Sequence, residues 1–155
     1  MTARTISTML LAGAVTFAGV VAAQEKKIKR SDLPPAVEKT VARESVGATI
    51  RGFSEEKENG QTFYEAEMTV NGHSKDVLVD ASGNVLEVEE QVELGSLPAE
   101  VQAGLKAKAE GATILKVESI KKHDKLVAYE AVVQKDGKKK EVQVGPDGKP
   151  LAHEE

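Results

Sequence analysis

The phrase YEAEMTVNG, which begins at Tyr64, returns as YEAVVQKDG at Tyr129, 65 positions later. The correspondence runs along most of the chain. LPPAVEKTVARESVGATI, from Leu33, aligns with LPAEVQAGLKAKAEGATI, from Leu97, at an offset of 64. Val37 meets Val101, Val41 meets Leu105, and the GATI at Gly47 recurs whole at Gly111. One residue is gained before the Tyr-Glu-Ala phrase, and the new offset then holds. Asn71-Gly72 matches Asp136-Gly137, Val77 and Val79 match Val142 and Val144, Gly83 matches Gly148, and Leu86 matches Leu151. Matches in this order describe an internal duplication, and what one copy folds into constrains the other.

Each copy opens with a helix. Pro34 and Pro98 suit a first helical turn, where a missing N–H costs nothing, and Ser31, Asp32 and Ser96 stand close enough to cap. Val37 and Val41, like Val101 and Leu105, are four apart and share one helical face. Gly47 and Gly111 sit where a left-handed C-terminal residue is wanted. Short strand-forming runs follow, separated by turn signals: ATIRGFSEE, TFYEAEMTV, KDVLVD and NVLEVE in the first copy. Tyr64, Ala66, Met68 and Val70 alternate with Phe63, Glu65, Glu67 and Thr69, the pattern of an antiparallel sheet packed on one face. Asn59-Gly60, Asn71-Gly72 and Ser82-Gly83 mark hairpins, and His123-Asp124-Lys125, Asp136-Gly137 and Asp147-Gly148 take their places in the second copy. The expected fold is therefore α+β: two tandem repeats, 32–93 and 94–155, each one helix packed on a four-stranded antiparallel meander sheet. A unit of about 60 residues buries little surface, so the copies are expected to support each other, side by side or through one continued sheet.

The start of the chain stands apart from this pattern. MTARTIST is followed by the apolar run MLLAGAVTFAGVVAA, which ends in small residues. A basic start, a short apolar centre and a small-residue exit read as a signal peptide over 1–23, cleaved after Ala23. The run falls short of the roughly 20 apolar residues that a spanning helix needs. A periplasmic or secreted protein is expected, with no membrane association after cleavage, and QEKKIKRS at 24–31 reads as a flexible leader. Export without Cys leaves packing alone to hold the fold and excludes thiol chemistry, and the chain has no Cys and no Trp. Its net charge is −4, which gives no electrostatic case for binding nucleic acid.

The Leu-Pro helix starts, the Tyr-Glu-Ala strand and the hairpin from Val79 to Leu86 resemble the PepSY-like group, in its exported branch related in fold to the β-lactamase inhibitory protein. The resemblance covers nearly all of Leu33 to Glu155. It implies an extracytoplasmic regulator, of a kind that includes inhibitory segments of secreted peptidases, meeting its target across a concave sheet face. That inhibitor uses disulfides and an aromatic-rich contact surface. Here the aromatic residues after position 23 are Phe53, Phe63, Tyr64 and Tyr129, whereas interface hot spots favour Trp, Tyr and Arg.

No catalytic set emerges from the residue pattern. His73, His123 and His153 fall in turn or terminal contexts, and no HExxH or comparable ligand spacing occurs, so no enzyme, cofactor or metal ligand set is expected. Strand alternation puts Glu65 and Glu67 on the solvent side, beside Phe63. The sister strand offers Glu130 and Val132 in the same way. These five residues form the expected partner-binding face, and the expected partner is another exported protein, inhibited or regulated in trans. The alternative is a low-affinity divalent-cation binder using the Glu-rich strand ends, Glu55-Glu56-Glu58 and Glu87-Glu89-Glu90-Glu93.

Overall fold

In the computed structural model of the protein, residues 26–153 and Glu155 are described; the expected signal peptide lies outside them. Eight strands form one antiparallel sheet in chain order. They are β1 (Lys26–Ile28), β2 (Thr49–Glu58), β3 (Gln61–Val70), β4 (His73–Asp80), β5 (Val85–Gln91), β6 (Thr113–Lys122), β7 (Lys125–Lys135) and β8 (Lys138–Val144). Two α-helices, α1 (Pro35–Glu44) and α2 (Ala99–Ala109), lie on one face of it.

Local chemistry sets these elements. Pro34 and Pro98 precede the helices with extended backbone. Val37, Thr40 and Val41 turn inward from α1, and Val101, Leu105 and Ala109 from α2. Asn59-Gly60, Asn71-Gly72 and Asp136-Gly137 all take positive φ at both positions, the geometry of tight turns whose twist suits hairpin strands. His123 and Asp124 do the same without a glycine. Each helix covers its own core. Under α1 lie Phe53, Ala66, Met68, Val77 and Val79; under α2 lie Val117, Ala131, Val133, Val142 and Val144.

This architecture corrects the expected one of two units with four strands each. The sheet does not stop between the sequence copies: β5 pairs with β6, from Glu87 opposite Lys122 to Gln91 opposite Glu118. Pairing spares both strands an open row of backbone donors and acceptors. The second copy contributes three strands, not four. Its last turn is kept, with the Gly145 N–H donating to Lys149 O as the Asp80 N–H donates to Asn84 O. Beyond that turn, however, Pro150 stands where the first copy has Val85, which pairs with Val79. Proline has no N–H for the ladder. The tail curls back instead, and the Glu155 N–H donates to Gln143 Oε1 at 2.7 Å. The expected flexible leader also has structure, since Lys26–Ile28 adds β1 to the edge at β2.

The helices are seated on the turns after β4 and β8 by related contacts. In the first copy the Thr40 hydroxyl donates to Gly83 O at 2.6 Å. In the second the residue matching Thr40 is Gly104, and a Cβ there would stand 2.1 Å from Gly148 O. Helix α2 thus lies directly on its turn, whereas α1 is tied by a side chain. Thr40→Val is expected to cost about 1–2 kcal/mol, since it leaves the Gly83 carbonyl without its donor. A lower urea midpoint with an unchanged slope would show it.

Candidate functional site

The helices cover one face of the sheet, and alternation fixes what the opposite face presents. Ser54 stands opposite Glu65, Glu65 opposite Leu78, and Leu78 opposite Glu87. The next row runs from Gly52 through Glu67, Asp76, Glu89 and Ile120 to Ala128. A third carries Gln91, Glu118, Glu130 and Gln143. A belt of carboxylates therefore crosses β3 to β7 on the face without helices.

The five residues expected to bind a partner all point to this face, though not side by side. Phe63, Glu65 and Glu67 lie on β3, and Glu130 and Val132 on β7, four strand spacings or about 19 Å away. Between them lie residues that the sequence reading left out: Asp76, Leu78, Glu118 and Ile120, with Glu87 and Glu89 placed there only as part of an acidic run. Of the Glu-rich ends, Glu87 and Glu89 join the belt, and Glu56, opposite Phe63, extends the same face onto β2. Glu90 pairs with Lys121 at 2.9 Å, and Glu55 with Lys57 at 3.4 Å.

The face is also drier than a solvated acid run. Leu78 is 7% exposed and Ile120 1%, while Glu87, Glu118 and Glu130 are all buried. Burial raises the proton affinity of a carboxyl because the ion loses its water. Glu65 is pushed up to about 7, first by burial and then by Asp76 and Glu56, against a lowering hydrogen bond from Ser54. Burial carries Glu130 to about 7 against the opposing hydrogen bond from Gln143. Asp76 rises to about 6 through burial and Glu118, with Arg51 and Lys116 opposing. Glu89 is raised well above the ordinary range, by burial and then by Glu130, Glu87 and Glu118. Burial raises Glu87 too.

Cations reach parts of the belt. Lys27 pairs with Glu67, and Arg51 approaches Glu67 at 3.9 Å and Asp76 at 3.8 Å. Lys116 meets Glu118 at 2.7 Å, and Lys122 stands 3.6 Å from Glu87. At the centre of the belt the acids face one another. One oxygen each of Asp76, Glu89 and Glu118 lies within 4.8 Å of the other two. Asp76 Oδ1 and both carboxylate oxygens of Glu87 are buried without a hydrogen-bond partner among the described residues. Such a face can attract positive charge or hold protons. The histidines are elsewhere: His73 lies 3.6 Å from Glu93 at the β4 start, and His123 occupies the β6–β7 turn.

No family model matches the sequence, and no curated protein does. Solved structures do. A BLIP-like protein of Bacteroides fragilis is 20% identical, with 77% of this chain and 83% of that one covered and a TM-score of 0.57. A proposed periplasmic protein of Bacteroides eggerthii is 17% identical over 77% and 86%, with a TM-score of 0.62. A DUF2874 family protein of Bacteroides ovatus is 20% identical over 77% and 86%, at a TM-score of 0.59. The chain shares their fold. The relation in fold to the β-lactamase inhibitory protein, expected from the helix starts and hairpins, thus has a structural counterpart. The likeness lies in the architecture. No helix among the described residues is long and apolar enough to cross a membrane.

Proposed function

We propose that the protein is a non-enzymatic, exported binding module whose open sheet face receives a basic segment of another exported protein. The observation that carries this reading is the carboxylate belt from Glu65 to Glu130 on a face that no helix among the described residues covers. Complementary charge steers and orients an encounter, and a positively charged loop laid across the strands would meet Glu65, Glu67, Asp76, Glu89 and Glu130 in turn. Phe63 and Val132, both half-buried at the margins, offer apolar contact there. Export rests on the first 23 residues and accords with the Bacteroides eggerthii neighbour. The narrower role, regulation or inhibition of an exported enzyme in trans, draws on the PepSY-like resemblance and on the BLIP-like neighbour.

A defined probe tests the face. A Lys/Arg-rich peptide titrated into the protein at pH 8, above the values of about 7 for Glu65 and Glu130, in chelator-treated buffer is expected to bind with a salt-sensitive affinity, and an acidic peptide is not. Glu65→Gln with Glu130→Gln should weaken it by roughly tenfold, equivalent to about 1.4 kcal/mol. Glu100→Gln, on the exposed side of α2, should leave it unchanged. Equal affinity in the double variant would remove the face from consideration.

A further inference from the structure

We propose that the open acidic face receives the β7–β8 hairpin of a second copy of this chain, so that copies associate head to tail. The inference names a partner for the face described above and rests on that reading. The chain itself carries a basic segment of the kind such a face would take. Lys135, Lys138, Lys139 and Lys140 fall within six residues, around the Asp136-Gly137 turn that joins β7 to β8. Four lysines against one acid, Asp136, leave that segment with a net charge of +3. The duplication does not require it. At the same turn of the first copy, Val70, His73 and Ser74 stand where Lys135, Lys138 and Lys139 do.

The lysines are available to a partner. All four are exposed, and Lys138, Lys139 and Lys140 have no ion pair among the described residues. Lys135 reaches only a carbonyl, Glu110 O, at 3.4 Å. The face has the opposite surplus. Its cations, Lys27, Arg51, Lys116 and Lys122, reach Glu67, Asp76, Glu118 and Glu87. Glu65 and Glu130 are left with neutral hydrogen-bond partners, Ser54 and Gln143, and Glu89 faces other acids. An arriving ammonium favours the ionised form of each, against the burial that disfavours it.

Within one chain these two surfaces cannot meet. Glu65 on β3 and Glu89 on β5 lie five and three strand spacings from β8, or about 24 and 14 Å. Glu130 is on the neighbouring strand, but it stands opposite Gln143, four residues or about 14 Å along β8 from Lys139. Two copies can satisfy both. Strand β8 ends the sheet, so its hairpin can approach another molecule without burying a neighbouring strand. Face and hairpin are different surfaces, which makes the contact heterologous: each copy keeps one free face or hairpin, and chains can lengthen. A hairpin tip covers less than the roughly 1,200 Å² of a stable interface, so the association is weak, transient and salt-dependent.

Sedimentation velocity over a concentration series, at pH 8 in chelator-treated low-salt buffer, tests the contact. The average sedimentation coefficient is expected to rise with concentration. It should return to the monomer value at about 1 M salt, where the Debye length is about 3 Å. Lys138→Glu with Lys140→Glu, and separately Glu65→Gln with Glu130→Gln, should each weaken association by at least roughly tenfold. If the glutamine pair fails to fold, Glu65→Gln alone replaces it, with a loss in the same direction. An equimolar mixture of the two variants should associate again, because one brings an intact face and the other an intact hairpin. That complex should stop at two chains. A monomer at every concentration would overturn the proposal, and so would undiminished association in either variant. Loss in both without recovery in the mixture would also overturn it, since it would mark a self-complementary contact. Binding of the Lys/Arg-rich peptide by a protein that stays monomeric would rule out the second copy and leave the face standing. Failure of both would remove both.

Discussion

Gly148→Ala is expected to destabilise the protein by more than about 3 kcal/mol. A Cβ at this position would stand 2.2 Å from Glu100 O and 2.8 Å from Val101 N. Those atoms are helix backbone and cannot rotate away, so α2 would have to lift from the turn and from Val142 and Val144 beneath it. Overpacking of this kind costs about 1–3 kcal/mol and occasionally more. Gly148 also has φ of +76°, a conformation that costs a non-glycine residue roughly 1–2 kcal/mol. Gly137→Ala separates the two causes. Gly137 has the same φ of +76°, but nothing lies within 4 Å of a Cβ there. It should show the backbone cost alone in urea denaturation. Equal losses at the two positions would mean that the helix does not rest on its turn.

The second large effect is an inverted pH dependence. Glu65 holds its proton up to about pH 7 in the folded protein, against an ordinary value of 4.5. The folded state therefore keeps a proton that the unfolded chain has already released. Its contribution to stability is complete below about pH 4.5 and is lost as the pH rises through about 7. The difference is about 3 kcal/mol for this one side chain. The groups facing it reinforce the sign: Asp76, Glu56 and Glu67 all raise it, and only the hydrogen bond from Ser54 opposes. Melting in chelator-treated buffer should thus occur at a higher temperature at pH 5 than at pH 8. Glu65→Gln should raise the melting temperature at pH 8 by roughly 10 °C and flatten the profile. A variant less stable than the parent at pH 8 would show that the carboxylate is favourably paired and overturn the prediction.

Much of the local structure was legible because it depends on neighbours in sequence. Asn-Gly turns, Pro-led helices and the inward stripe of Val37, Val41, Val101 and Leu105 follow from periods of two and 3.6 and from backbone preferences. The union of β5 with β6 was one of two arrangements the sequence allowed, and the choice was not legible because pairing across α2 leaves no mark on the hydrophobic pattern of either strand. The missing last strand had a readable sign in Pro150, set where Val85 stands in the other copy. Lys26–Ile28 is too short for alternation to declare a strand.

The burial of the acids escapes the sequence for a related reason. Glutamate on the outward phase of a strand normally means water, and by that rule Glu65, Glu67 and Glu130 belong to the solvent side. Yet Val77-Leu78-Val79 and Ala131-Val132-Val133 are apolar on both phases. Continuous runs of that kind signal shielding on two sides, and Leu78 is accordingly buried on the open face. Glu118 could not be linked to Glu89 until the sheet was known to continue from one copy into the next.

That every strand pairs with its immediate successor has a consequence for how the chain reaches this state. Each hairpin closes a short loop, so little chain entropy is spent before contacts form, and the mean sequence separation of partners stays low for a β-rich protein. Either half can nucleate and template the other by adding strands at its growing edge, as neighbouring units do in repeat arrays. Order then spreads along the chain like a zipper, with β5 and β6 as the teeth that must mesh before the two halves become one cooperative unit.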